Sequence, residues 1–139
     1  MLNFTIGPVM SNEKVREIGS KQVPYFRTPE FSELMLESED LMKKLLNAPE
    51  DSRCVFITGS GTASMEAIVM NAFNKDDKVL IVNGGGFGQR FVELCQVHEI
   101  PYESIDLEIS KDITEDILKN YENKGFTGFL VNIHETSTG

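Results

Sequence analysis

Ser60-Gly61-Thr62, led in by Thr58-Gly59 and followed by Ala63-Ser64-Met65-Glu66-Ala67, is the stretch whose residue types suit an anion. Cys54-Val55-Phe56-Ile57 before it is a short apolar run with β character. Met65, Ile68, Val69, Ala72 and Phe73 after it recur at helical spacing, so the stretch reads as buried strand, tight turn and helix. Unpaired N–H groups and the helix dipole at such a turn favour negative charge, and Ser60 and Thr62 add hydroxyl donors. A phosphate would fit there. Glycine and serine also serve plain bending and capping, so turn chemistry and anion chemistry both stand open at this point. Two nucleotide readings are set aside. A P-loop closes on Gly-Lys-Ser/Thr where Thr62-Ala63-Ser64 stand, and a dinucleotide fingerprint needs a glycine where Ser64 stands.

Two further polar segments follow apolar runs. Lys78-Val79-Leu80-Ile81-Val82 is continuous enough for a strand covered on both faces, and it runs into Asn83-Gly84-Gly85-Gly86-Phe87-Gly88, a loop that brings backbone close to a ligand. Gly128-Phe129-Leu130-Val131-Asn132-Ile133 reads as another buried strand, delivering His134-Glu135-Thr136-Ser137-Thr138-Gly139.

The elements that must position these turns alternate. Ser11 caps a short helix over Glu13 to Ile18. Thr28-Pro29 starts a long helix with an apolar stripe of Phe31, Leu34, Leu41, Leu45 and Leu46. A helix after the glycine run turns Phe87 or Phe91, with Leu94 and Cys95, inward. Tyr102 to Leu107 forms a short edge strand. Asp112 and Glu115 sit at capping-box spacing before the stripe Ile113, Ile117, Leu118 and Tyr121, which Gly125 terminates. Strands alternating with helices imply an α/β fold with a mostly parallel sheet and flanking helices, whose ligands sit beyond the carboxyl ends of the strands. The three polar turns should meet in one crevice.

At 139 residues the chain suits one packed domain. A net charge of −9 argues against nucleic acid or an anionic membrane as partner. Cys54 and Cys95 show neither metal spacing nor a disulfide framework, and no signal peptide or membrane span is evident, which points to a reduced, cytoplasmic protein. His98 and His134 read as packing or hydrogen-bonding residues, with no cluster around them for a metal. Glu135 reads as a surface charge or a support behind the site, and Arg27 as a structural brace.

Taken together, Gly7-Pro8, Arg27-x-Pro29-Glu30-Phe31, Gly59-Ser60-Gly61-Thr62-x-x-Met65-Glu66-Ala67, Asn83-Gly84 with Phe87-Gly88-Gln89-Arg90, and His134-Glu135-Thr136-Ser137-Thr138-Gly139 resemble the class V aminotransferases of the fold-type I pyridoxal-phosphate enzymes. The branch resembled is the alanine–glyoxylate, serine–pyruvate and 2-aminoethylphosphonate–pyruvate one, and the match is to its N-terminal portion. The resemblance implies pyridoxal 5'-phosphate as cofactor. Ser60, Gly61 and Thr62 would hold its phosphate, Phe87 would stack on its ring, and Thr136 would bond near its phenolic oxygen. Gly7 and Pro8 would lie near the substrate carboxylate. Residues 1–139 would form the N-terminal part of the cofactor-binding large domain, with a lead-in arm and short helix over 1–27 and the sheet region over 28–139.

Transamination also needs a Schiff-base lysine and an acidic partner for the pyridine nitrogen. In the family both follow the last motif, and no lysine of this chain matches the catalytic one. The sequence therefore leads to an inactive N-terminal piece of an aminotransferase, a homodimer when whole, acting on a small amino acid or aminophosphonate and a 2-oxo acid such as pyruvate or glyoxylate. The same scaffold also suits a cysteine desulfurase or other lyase, or a non-catalytic binding module. An unfinished sheet would expose an edge and part of its core.

Overall fold

The computed structural model describes residues 2, 3, 7 and 9–136. The chain divides into two compact units, Met1–Ile57 and Thr58–Gly139.

The first unit carries two helices. α1 spans Glu13–Gly19, and Asn12 rather than the expected Ser11 caps it, its side chain accepting from Val15 N at 3.0 Å. α2 spans Pro29–Leu45 with the expected start: Thr28 Oγ1 accepts from Phe31 N at 3.2 Å and Pro29 occupies the first turn, where its missing N–H leaves nothing unpaired. No residue of α2 is buried, and Leu34, Leu41, Leu45 and Leu46 are exposed. The stripe is real in sequence, but the described residues of this unit form no sheet to cover it. Cys54 to Ile57 is not a buried strand: it forms no ladder, and Val55 is 78% exposed. Apolar β-type residues make a strand only where a neighbour takes up their N–H and C=O groups.

What fixes the start of that segment is Glu39, which accepts from Arg53 Nε at 2.6 Å and from Cys54 N at 3.0 Å. The Arg53 hydrogen bond, then the Cys54 amide, hold the Glu39 carboxyl below its ordinary value. Its stabilisation is thus complete above the usual carboxylate range and is lost as pH falls through the lowered native value. Acid titration followed by carboxyl chemical shifts should show Glu39 protonating below the ordinary glutamate range, and Arg53→Ala should bring its midpoint back up. A midpoint unmoved by Arg53→Ala would contradict the tether.

The second unit is a three-stranded parallel sheet with helices on both faces. α3 spans Gly61–Ala72, β1 Val79–Asn83, α4 Gly86–Val97, β2 Tyr102–Asp106, α5 Glu115–Lys119 and β3 Gly128–Leu130. The strand order is β2-β1-β3, with Val79 in register with Tyr102 on one side and Gly128 on the other. β1 is central, so its side chains are buried on both faces, which accounts for its unbroken apolar run. Val79 and Ile81 pack with Met65, Val69, Phe91, Leu94 and Cys95 from α3 and α4. Leu80 and Val82 point the other way, to Ile105, Ile117, Leu118 and Tyr121. Ile68, expected inside, is exposed on α3.

Two expected boundaries move. Thr114, not Asp112, caps α5, its Oγ1 accepting from Ile117 N at 3.4 Å, and the helix ends well before Gly125, which takes a left-handed turn (φ 75°) leading to β3. β3 stops at Leu130 instead of reaching Ile133, whose side chain is fully exposed. There the backbone leaves the ladder and turns so that Glu135 reaches α4.

The C-terminal end of α3 is placed by one close contact. A Cβ on Gly128 would sit 2.2 Å from the Phe73 ring, so the residue after α3 packs against the first residue of β3, at the amino edge of the sheet.

Candidate functional site

Ser60, Gly61 and Thr62 form the start of α3. Ser60 is its N-cap, with Oγ accepting from Ala63 N at 3.3 Å and its carbonyl accepting from Ser64 N at 3.2 Å. The amides of Gly61 and Thr62 have no partner among the described residues. A hydroxyl that accepts the capping bond still has its own hydrogen to donate, so Ser60 serves the cap and an anion together. The two sequence readings of this turn are compatible. Two free amides, two hydroxyls and the positive end of a 12-residue helix meet the requirements of a phosphate.

The second turn links β1 to α4 and is fastened in three ways. Asn83 Nδ2 donates to Gln89 Oε1 at 3.0 Å and to Asp106 Oδ1 at 2.8 Å, joining the ends of β1, β2 and the first turn of α4. Gly88 lies flat against β1: a Cβ there would be 2.7 Å from Asn83 Cα and 2.9 Å from the Val82 carbonyl oxygen. Glu135, arriving from the exit of β3, accepts from Phe87 N (3.0 Å to Oε1, 3.2 Å to Oε2) and from Gly88 N (3.0 Å to Oε2).

Glu135 is thus neither a surface charge nor remote. It is 8% exposed and supplies the anionic cap that α4 lacks, since Gly85 at the N-cap has no side chain to do so. Of the two sequence readings, surface charge or support behind the site, the structure has the second, though the sequence did not name α4 as what it supports. The signal was a helix opening on glycines, with no Ser, Thr, Asp or Asn to cap it, while a lone carboxylate followed another strand. Phe91 is the aromatic that α4 buries, whereas Phe87 is 38% exposed. Its ring is free to meet a ligand rather than consumed by the core.

The structure joins two of the three expected turns. Phe87 and the segment Glu135-Thr136 are tied directly, with Thr136 exposed beside Glu135. Ser60 to Thr62 starts a helix of the same layer, without a hydrogen bond to either of the other turns among the described residues. Gly7 belongs to the first unit and is exposed. Pro8, Ser137, Thr138 and Gly139 lie outside the described residues.

A cavity of about 320 Å³ opens at the carboxyl edge, lined by Val82, Gly84, Leu107, Lys111, Asn132 and Glu135 among others. It lies on the α5 face, with Val82, Leu107 and Ile113, and includes none of Ser60, Thr62, Phe87 or Thr136. Lys75 pairs with Glu99, Lys78 with Glu103 at 2.7 Å and Lys119 with Asp116 at 3.2 Å, all solvated. The lysine partners hold the Glu99 and Glu103 carboxyls below their ordinary values. Among the described residues no group of three or more His, Cys, Asp or Glu could hold a metal, and no helix is long and apolar enough to cross a membrane.

No protein-family model matches the chain. Curated relatives do. It is 31% identical over 141 residues to an uncharacterized aminotransferase of Helicobacter pylori strain J99, a match covering 100% of this chain and 37% of that protein. It is 28% identical over 144 residues to a 2-aminoethylphosphonate–pyruvate transaminase of Bacteroides fragilis, covering 99% of the chain and 39% of the relative. Among solved structures it superposes on an alanine–glyoxylate aminotransferase from Nostoc with a TM-score of 0.82 at 27% identity, covering 96% of this chain and 35% of that one. The chain therefore spans little more than a third of the length of the proteins it matches.

Proposed function

We propose that the chain, similar over nearly all its length to about a third of several aminotransferases, is the N-terminal part of the cofactor domain of a fold-type I pyridoxal-phosphate-dependent aminotransferase. The observation that carries the reading is the open start of α3, with its two unpartnered amides and two hydroxyls. Ser60, Gly61 and Thr62 hold the cofactor phosphate there. Phe87 would stack on its pyridine ring, and Thr136 would donate its hydroxyl near the phenolic oxygen. When bound, pyridoxal phosphate supplies an electron sink for bond cleavage next to the amino group.

Lys75, Lys78 and Lys119 are held in ion pairs on the surface, and Lys111 lines the cavity on the opposite face of the sheet from α3 and α4. None of these lysines is assigned covalent anchoring or proton transfer, and the chain alone is assigned binding without turnover. The reaction class is transfer of an amino group from a small amino acid or aminophosphonate to a 2-oxo acid such as pyruvate or glyoxylate, by a cytoplasmic homodimer.

Pyridoxine 5'-phosphate tests the site without reacting with surface lysines, because it lacks the aldehyde. Thr62→Val keeps volume and leaves the Ser60 cap intact, and each charge-assisted bond lost should weaken binding about tenfold. Adding Ser60→Ala should weaken it further, with about 1 kcal/mol of cap stability lost as well. Calorimetric titration giving equal affinity for the unaltered chain and both variants would remove the phosphate site.

A further inference from the structure

We propose that Glu135 is a positioning residue for the cofactor ring: its buried carboxylate fixes the backbone of Phe87 and so sets the stacking plane. This rests on the reading of Phe87 given above. Phe87 follows Gly84-Gly85-Gly86, three residues with little conformational restraint of their own, and its partly exposed ring has limited packing to orient it. What holds the residue is at its amide. Both oxygens of Glu135 lie within hydrogen-bond distance of Phe87 N, and Oε2 also takes Gly88 N at 3.0 Å. Charge-assisted bonds of this kind are short and strong, and this one is 8% exposed, away from competing water.

A second consequence follows from charge. The unit has two helices of 12 residues whose N-termini could attract an anion, α3 and α4. Glu135 already occupies the start of α4 with a negative charge, which repels a phosphate there and leaves the start of α3 as the place for one. One carboxylate thereby holds the ring's partner and directs the phosphate to the other helix.

The test pairs backbone exchange with a double-mutant cycle. Glu135→Gln keeps the volume and removes the charge. Amide hydrogen exchange at Phe87 and Gly88 should quicken about tenfold while Ile81 and Val69 keep their protection. Affinity for pyridoxine 5'-phosphate should fall about tenfold in Glu135→Gln. In a Phe87→Ala background the same change should cost less than about twofold, because its effect passes through Phe87. Glu135→Asp, which keeps the charge on a shorter arm, should fall between, and it takes over the cycle if Glu135→Gln does not fold.

Unchanged exchange at Phe87, or an affinity loss as large with Phe87 absent as with it present, overturns the inference and leaves Glu135 a plain helix cap. Binding that depends on Phe87 but is indifferent to Glu135 overturns it alone. An unaltered chain that fails to bind, or binds without need of Phe87, overturns the proposed function and this inference with it.

Discussion

Gly88→Ala is expected to destabilise the α/β unit by about 3 kcal/mol, the upper end for forcing volume into a packed site. The added Cβ would meet Asn83 Cα at 2.7 Å and the Val82 carbonyl at 2.9 Å. Both are backbone atoms of a central strand, so no side-chain rotation relieves the clash; the first turn of α4 has to lift from β1. That movement also lengthens the Gly88 N to Glu135 bond and the Asn83 to Gln89 bond. Chemical denaturation gives the stability change, and Gly86→Ala is its control, because a Cβ there meets nothing within 4 Å. Alanine at that helical position should be neutral or gain up to about 1 kcal/mol. Equal effects at the two positions would show that packing against β1 is not what requires glycine at 88.

Ile81→Ala should be costlier still, about 4 kcal/mol, within the range for emptying a well-packed core site. Ile81 is fully buried in the middle residue of the middle strand, in register with Ser104 on one side and Leu130 on the other. Its side chain belongs to the cluster shared with Met65, Val69, Phe91 and Cys95, so neither α3 nor α4 can close the gap without shifting against the sheet. Ile81→Val should lose only about 1 kcal/mol. Thermal or urea unfolding checks both; a loss under about 1.5 kcal/mol for the alanine variant would mean the cluster collapses freely around the site.

Much of this was legible before any coordinates. β1 announced itself because burial on both faces leaves no polar position. The Thr28-Pro29 start and the Ser60 turn were visible because capping is a local matter of residues three apart. The misreadings share a cause in what lies far along the chain. Cys54 to Ile57 has strand composition without a neighbouring strand, the α2 stripe has apolar spacing without a cover, and both features depend on partners that local sequence does not name. The two readings of Glu135, surface charge or support, stayed open in the sequence for the same reason. Its role depends on a helix 48 residues away in sequence, and only the absence of a capping side chain near Gly85 hinted that one had to come from elsewhere.

The order β2-β1-β3 puts the earliest strand of the sheet in the centre. During synthesis β1 therefore leaves the ribosome before either of its neighbours. β2, joined through α4, is the first able to zip onto one side, and β3 must travel about twice as far along the chain to reach the other. Assembly then proceeds outward from a nucleus of β1, α4 and β2, the nearer closure being the less demanding entropically. Until β3 docks, Glu135 has not arrived, so the start of α4 gains its carboxylate cap only after β3 has paired with β1.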